Sequence, residues 1–141
     1  MASADENNTA RKKTVLLADD ESAITLLFEL ELTRMGYYVL TAHSGAEASR
    51  ISAEFHHPID VLVTDWHIPD LSGDDLACDL LVQRPDLKVV LMSGFPEANA
   101  IAQAFNQNQL VFLSKPFSPA KLDETIRRLL GLPGKSARQV A

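Results

Sequence analysis

Five short apolar runs, each followed by a stretch with helical periodicity, constrain the fold of this 141-residue chain more than any other feature. The runs cover residues 15–18, 38–42, 61–64, 89–92 and 110–113. Strands that are apolar throughout are typical of a parallel sheet covered by helices on both faces. The sequence therefore predicts an α/β fold with a doubly wound, five-stranded parallel sheet.

The stretches between these runs carry start and stop signals for helices. Apolar residues recur every three or four positions over 24–35, and Gly36 follows as a C′ glycine. Ser44 and Glu47 match a capping box, which predicts a helix to about residue 55. Further helices are predicted over about 73–83, 96–105 and 118–130, the last opened by Ser118 and Pro119.

Charge and hydropathy exclude several classes of protein. The longest apolar runs are too short to cross a bilayer, and the polar first ten residues contain no secretory signal. The net charge is −6, and residues 14–130 carry 17 acidic side chains against 8 basic ones. This acidic body lacks the basic surface of a nucleic-acid binder. We expect a cytoplasmic protein with no membrane or nucleic-acid partner.

The length fits one domain with a core of its own. We place this domain at residues 14–131, between a flexible polar leader (1–13) and a flexible tail (132–141). Cys78 is the only cysteine, so it cannot form an internal disulfide, which agrees with a reducing compartment. We predict that Cys78 is a small buried apolar residue of the third helix.

Polar residues follow four of the five predicted strands. Asp19 and Asp20 follow the first strand, Asp65 the third, Ser93 the fourth and Lys115 the fifth. Ligands of an open parallel sheet bind beyond the carboxyl ends of its strands, near the point where strand order reverses. We therefore expect these side chains to meet at one edge of the sheet.

The chemistry of this set indicates phosphoryl transfer. Three carboxylates at one edge repel one another unless a cation lies among them. The ligands are hard oxygens without a His/Cys cluster at zinc spacing, so Mg²⁺ is the natural ion. Lys115 adds a mobile cation and Ser93 a hydroxyl donor. With a free carboxylate as nucleophile, these groups predict a phosphoryl-transfer site.

Four segments resemble the signatures of response-regulator receiver domains, the phosphoacceptor modules of two-component signalling. They read LADDE (17–21), VTDWHIPDLSG (63–73), LMSG (91–94) and FLSKPF (112–117). Their order and spacing are those of the family, and the resemblance covers about residues 14–130. It implies a flavodoxin-like strand order 2-1-3-4-5 and a cis bond between Lys115 and Pro116.

The resemblance also implies a role for each site residue. Asp65 would be the phosphoacceptor, and Lys115 would pair with the phosphoryl group. Asp20 and Asp65 would bind Mg²⁺ directly, Asp19 would bind it through water, and the main-chain carbonyl of His67 would complete the protein ligands.

Ser93 and Phe112 are the switch residues that the resemblance implies. Ser93 would hold a phosphoryl oxygen, and Phe112 would turn inward behind it. The added charge would shift the population of the face formed by the fourth helix, fifth strand and fifth helix, where a partner docks. The phosphoryl donor would be a histidine kinase or histidine phosphotransfer protein, and the downstream effector is not identifiable. Such a domain catalyses its own phosphorylation and slow dephosphorylation, and we expect a monomer or weak dimer.

Two residues near the predicted site, His67 and Phe95, each have two interpretations. His67 lies two positions after Asp65, and one hypothesis is that it modulates the lifetime of the acyl phosphate, with a pH dependence near its usual pKa of about 6.5. The other interpretation is an exposed loop histidine. Phe95 either shields the phosphoryl group or the partner face, or belongs to the core.

Other functions remain open at this point. A pseudo-receiver would bind partners without phosphorylation, and the chain could be either a stand-alone regulator or the receiver segment of a hybrid histidine kinase. A phosphatase of the haloacid-dehalogenase kind needs a second aspartate where His67 stands. A flavodoxin-like FMN protein needs a hydroxyl- and glycine-rich phosphate loop after the first strand, where Asp19 and Asp20 would repel phosphate.

Overall fold

The computed structural model describes residues 11–133. Within them the strands are β1 (Thr14–Ala18), β2 (Tyr38–Ala42), β3 (Val61–Asp65), β4 (His67–Ile68), β5 (Leu71–Ser72), β6 (Lys88–Ser93) and β7 (Leu110–Ser114). The helices are α1 (Ser22–Arg34), α2 (Gly45–Glu54), α3 (Gly73–Gln83), α4 (Glu97–Gln103) and α5 (Pro119–Leu130).

Five of the strands form one parallel sheet in the order β2-β1-β3-β6-β7. This confirms the predicted α/β class and, with the long strands counted alone, the implied order 2-1-3-4-5. The chain reverses its direction of progress across the sheet between β1 and β3, which is where ligands of such folds bind. The register brings the strand ends level, since Asp65 pairs with Met92 and Ser93 with Ser114.

The strands are apolar throughout because both faces of the sheet are covered. One face packs against α1 and α5 and includes the buried side chains of Val15, Val63, Phe28 and Leu122. The opposite face packs against α2, α3 and α4 and includes Leu16, Leu62, Leu76, Leu80 and Ala98. Every residue of β1 and β3 is buried, so these central strands fix the position of the residues that follow them.

The start and stop signals act largely as predicted. Ser44 Oγ accepts a hydrogen bond from the Glu47 amide at 3.0 Å, while Glu47 Oε1 accepts from the His43 amide, one position before the cap. Ser118 Oγ accepts from the Lys121 amide at 3.1 Å. Gly36 follows α1 with a φ of +106°, a value that side chains rarely allow.

Three details differ from the sequence-based expectations. The strands β4 and β5 form a short antiparallel hairpin that was not predicted. Helix α4 covers only Glu97–Gln103, because the chain turns at Ala104. The prediction of a buried Cys78 is wrong, since the inward positions of α3 are Leu76, Ala77 and Leu80, and Cys78 faces outward.

Most of the predicted leader and tail lies outside the described residues, so the domain limits of 14–131 stay a prediction. At the inner ends of these segments, Arg11 pairs with Asp60 at 3.1 Å, and the Leu132 amide donates to the Arg127 carbonyl at 2.8 Å. Among the helices of residues 11–133, none is long and apolar enough to cross a membrane.

Candidate functional site

Three carboxylates meet at the carboxyl ends of β1 and β3. Asp19, Asp20 and Asp65 each place one carboxylate oxygen within 4.8 Å of the other two. Asp19 is fully buried, Asp65 is 8% exposed and Asp20 is exposed to solvent. The structure thus brings together the three acidic residues that sequence analysis selected, because parallel neighbouring strands end at the same edge.

Lys115 extends from the end of β7 into this acidic group. Its Nζ lies 2.9 Å from Asp65 Oδ2 and 3.7 Å from Asp19 Oδ2. Burial alone would lower the pKa of Lys115, but the hydrogen bond and the charge of Asp65, together with Asp19, raise that pKa above its ordinary value. The ammonium group therefore stays charged and offsets part of the negative charge. The bond from Lys115 to Pro116 is cis, as the resemblance implied.

Asp19 carries an unsatisfied oxygen. Burial raises the pKa of Asp19, the Glu21 amide and Lys115 oppose this shift, and the charges of Asp65 and Glu21 add to it. Its Oδ1 accepts from the Glu21 amide at 2.9 Å, whereas its buried Oδ2 accepts no hydrogen bond from any residue of 11–133. A buried carboxylate oxygen without a donor, beside two more carboxylates, fits a hard divalent cation.

Ser93 ends the strand next to Asp65. Its side chain is 1% exposed, and its Oγ accepts a hydrogen bond from the Phe95 amide at 2.9 Å. Phe112, the other predicted switch residue, is half-buried on β7 and pairs with Leu91. Both residues therefore lie on adjacent strands of the sheet, Ser93 at the acidic edge and Phe112 nearer the middle of its strand.

Three aromatic side chains beside the site, Trp66, His67 and Phe95, form a contiguous group that we call the aromatic rim. The ring centroid of His67 is 4.9 Å from that of Trp66 and 5.0 Å from that of Phe95, the latter in an edge-to-face contact. Phe95 is 54% exposed, so the alternative that it belongs to the core is wrong. The His67 side chain is exposed, and its amide donates to Asp65 Oδ1 at 3.2 Å. The rim joins the loop after β3 to the loop after β6.

Gly73 packs closely against the main chain at the end of β3, a contact that sequence analysis missed. A Cβ at this position would lie 2.3 Å from the Asp65 carbonyl oxygen, 2.9 Å from Leu91 Cδ1 and 3.0 Å from Trp66 Cα. The Gly73 amide also donates to the Trp66 carbonyl at 2.8 Å. The start of α3 therefore packs directly on the main chain of Asp65.

The hairpin of β4 and β5 was missed together with its anchor, Asp70. The Asp70 carboxylate accepts from the amides of Gly45 and Ala46, both at 2.9 Å, at the start of α2. These two bonds lower the pKa of Asp70 below its ordinary value. The sequence signal was a Pro69-Asp70 turn between the apolar residues Ile68 and Leu71.

Comparison with known proteins agrees with this geometry. The model of the response regulator receiver domain family matches residues 15–127 of the chain. The chain belongs to this family. The receiver domain therefore has the fold and the acidic edge that its sequence motifs implied.

Two curated relatives illustrate the range of proteins that contain such a domain. The chain is 35% identical over 122 residues to the sensor kinase CckA of Brucella abortus (strain 2308), covering 83% of this chain and 12% of the kinase. It is 36% identical over 117 residues to the transcriptional regulatory protein KdpE of Mycobacterium tuberculosis, covering 82% of this chain and 48% of that protein. The receiver domain spans about half the length, or less, of the curated relatives it matches.

Among solved structures, the response regulator protein TrrA of Thermotoga maritima superimposes with a TM-score of 0.71 at 27% identity. The match covers 84% of this receiver domain and 99% of the TrrA chain. TrrA was crystallised in complex with Mg²⁺ and BeF.

Proposed function

We propose that this receiver domain takes a phosphoryl group from a phosphohistidine onto Asp65 and responds by changing its partner surface. The observation that carries the proposal is the environment of the Asp65 carboxylate. It lies at the acidic edge with Lys115 Nζ at 2.9 Å and two further carboxylates close by. This is the group set required for aspartyl phosphorylation.

In the proposed transfer, an Asp65 oxygen attacks the phosphorus atom of the donor. The new bond joins phosphorus to this oxygen, while the bond from phosphorus to the histidine nitrogen breaks and its electron pair stays on the imidazole. Lys115 offsets the negative charge of the phosphoryl oxygens. Ser93 Oγ loses the hydrogen bond that it accepts from the Phe95 amide, and the Ser93 hydroxyl donates a hydrogen bond to one of these oxygens.

Asp20, Asp65 and the His67 main-chain carbonyl are proposed to hold Mg²⁺, with Asp19 acting through a water molecule. The unsatisfied Asp19 Oδ2 and the three converging carboxylates support this assignment. When bound, Mg²⁺ neutralises carboxylate charge and provides a further ligand position for a phosphoryl oxygen. The complex of the related TrrA with Mg²⁺ and BeF favours the same choice of ion.

We propose that phosphorylation changes the face formed by α4, β7 and α5, and that a downstream partner binds there. Ser93 and Phe112 lie on the neighbouring strands β6 and β7, so movement of the first changes the space available to the second. A downstream effector that prefers the altered face would then bind more tightly. His67 and Phe95 are proposed to modulate the lifetime of the acyl phosphate, because their rings meet across the site.

The relatives support two settings for the domain. In CckA a receiver domain is part of a sensor kinase, and in KdpE it is part of a transcriptional regulator. We propose a histidine kinase or histidine phosphotransfer protein as the donor in either setting. A cytoplasmic location and a monomeric or weakly dimeric state stay predictions.

The test is incubation with acetyl phosphate and Mg²⁺, followed by intact mass spectrometry of the wild type and of Asp65→Asn. We expect the wild type to gain the mass of one phosphoryl group, and we expect no gain in the variant or in EDTA. A wild type that gains no mass under saturating Mg²⁺ would instead favour the alternative of a pseudo-receiver that only binds partners.

A further inference from the structure

Two stacked phenylalanine rings join the loop of Lys115 to helix α1. The ring centroids of Phe28 and Phe117 are 5.4 Å apart, and the ring planes differ by 2°. Phe28 is 5% exposed within the core cluster on the face of α1 and α5, and Phe117 is half-buried against the same cluster. This contact fixes the separation of two segments that are far apart in sequence.

Both stacked segments also reach the acidic edge. On the α1 side, the Thr25 hydroxyl has two acceptors in range, the main-chain carbonyls of Glu21 at 2.9 Å and of Asp19 at 3.2 Å. On the other side, Phe117 follows Lys115 by two residues, and the Lys115 amide donates to the Ser93 carbonyl at 2.9 Å. The stack therefore connects the carboxylate side of the site to the lysine side.

We propose that Phe28 and Phe117 are positioning residues that set the reach of Lys115 toward the phosphoryl group on Asp65. This inference rests on the proposed function. A lysine ammonium is a compact charge on a flexible four-carbon stem, so its position depends on where its main chain is held. Displacement of that main chain by about 1 Å weakens the stabilisation of charge in the transferring group.

The affinity for Mg²⁺ distinguishes this positioning role from a general loss of packing. Lys115 lies 2.9 Å from Asp65 and 3.7 Å from Asp19, so it competes with a divalent cation for the same carboxylates. A Lys115 that is held less firmly leaves Mg²⁺ affinity unchanged or increased. A general loss of packing would decrease both Mg²⁺ affinity and the rate of phosphorylation.

The experiment compares Phe28→Leu, Phe117→Leu and the double variant with the wild type. Two quantities are measured: the rate of phosphorylation by acetyl phosphate at saturating Mg²⁺, and the Mg²⁺ dissociation constant by titration calorimetry. We expect each single variant to react about ten- to a hundredfold more slowly, because a misplacement of about 1 Å costs up to about a hundredfold. The Mg²⁺ dissociation constant should stay the same or fall, and the double variant should be no slower than the slower single one.

Phe55→Leu is the matched control. Phe55 is also half-buried and stacks on Tyr38, with centroids 6.0 Å apart and planes at 17°, but it lies at the opposite end of the strands. Its replacement should leave the phosphorylation rate within about twofold of the wild type, since distant sites act independently.

Unchanged rates in both single variants would overturn the inference, as would a parallel loss of rate, Mg²⁺ affinity and thermal stability. A wild type that is never phosphorylated would refute the proposed function instead. In that event, crystal structures of the wild type and Phe117→Leu decide the positioning role. Displacement of Lys115 Nζ from Asp65 supports it, and an unmoved Nζ overturns it.

Discussion

Asp19 has an unfavourable charge in the folded protein when no metal ion is bound. Its side chain is fully buried, one oxygen has no donor among residues 11–133, and burial raises its pKa. We predict that Asp19→Asn increases the free energy of unfolding at pH 7 without Mg²⁺, because the neutral amide removes a buried charge. The Asn amide oxygen can still accept from the Glu21 amide. Urea unfolding in EDTA measures this change.

The pH dependence has a definite sign. Because the pKa of Asp19 is higher in the folded state, that state binds more protons, and its stability falls as pH rises from the ordinary value of 3.8 through the folded pKa. The stability of Asp19→Asn should fall less than that of the wild type over this pH range. Mg²⁺ should stabilise the wild type by mass action and the variant much less. Equal stabilisation of both proteins by Mg²⁺ would contradict the role of Asp19.

The exposed ring of Phe95 packs edge-to-face against His67 beside the site. We predict that Phe95→Ala shortens the lifetime of the phosphorylated protein by about threefold, which corresponds to less than 1 kcal/mol in the barrier. The physical reason is that water reaches the acyl phosphate more easily once the ring at 5.0 Å from His67 is absent. Loss of label after removal of acetyl phosphate gives the lifetime, and Phe105→Ala on the distant side of α4 is the control. A lifetime equal to that of the wild type would refute the prediction.

The chemistry of the site residues could largely be predicted from the sequence. The end of a buried strand defines where a polar side chain emerges, so the proximity of Asp19, Asp65 and Lys115 followed from the strand pattern. The sequence could not reveal which oxygen of Asp19 lacks a donor or how Phe95 contacts His67. Those facts depend on side-chain positions set by residues on other strands.

Among the secondary-structure elements, the hairpin of β4 and β5 depends on one carboxylate. Asp70 accepts from two amides of α2, and these bonds lower its pKa. We predict that Asp70→Asn lowers the melting temperature at pH 7, because a neutral amide is a weaker acceptor than a carboxylate. The difference between variant and wild type should shrink as pH falls below 3.8 through the lower folded pKa, where the wild type also loses its charge.

Thermal unfolding followed by circular dichroism measures this prediction. Asp86→Asn is the control, since Asp86 is an exposed carboxylate in the loop between α3 and β6. A difference in melting temperature that does not depend on pH would show that the charge of Asp70 is unimportant.

The strands and caps could be predicted because each depends on neighbouring residues. Ser118 and Pro119 define the start of α5 by local hydrogen bonding and a fixed φ. The two-residue strands β4 and β5 escaped prediction because they depend on Asp70 and its contact with a helix 24 or 25 residues earlier. Cys78 was misplaced because the apolar residues around it gave no clear inward face for α3.

Across the whole molecule, a buried polar network joins the connection before β2 to the last helix. The Tyr37 hydroxyl donates to Asp123 Oδ1 at 2.6 Å, and Arg127 Nε donates to the same oxygen at 3.0 Å. Arg127 also donates to the Pro133 carbonyl at 3.1 Å. The network ties α5 and the residues after it to the segment between α1 and β2, which lies on the same face of the sheet.

We predict that Asp123→Ala lowers the free energy of unfolding by about 3–5 kcal/mol, because it leaves the Arg127 charge buried without its partner. Tyr37→Phe should cost about 1.5–3 kcal/mol, the usual range for a hydrogen bond to a charged group. Glu124→Ala removes an exposed ion pair with Lys121 and should change stability by less than about 0.5 kcal/mol. Urea unfolding of the three variants tests this order, and a Glu124→Ala effect equal to that of Asp123→Ala would contradict it.

The class of fold followed from the alternation of strands and helices, whereas the strand order came from the family resemblance. Nothing local in the sequence pairs Tyr37 with Asp123, or Phe28 with Phe117. Such contacts arise only when the sheet and both layers of helices are assembled. The location of the site could therefore be predicted from the sequence, whereas the contacts that connect it to the rest of the molecule could not.

The missing side chain at Gly73 has a consequence for the position of the main chain at Asp65. A single added methyl group would meet the Asp65 carbonyl oxygen at 2.3 Å, so either strand β3 or helix α3 would have to retreat. The main chain of Asp65 therefore has no room to move toward the start of α3. At position 73 only a hydrogen atom fits between the end of β3 and the first turn of α3.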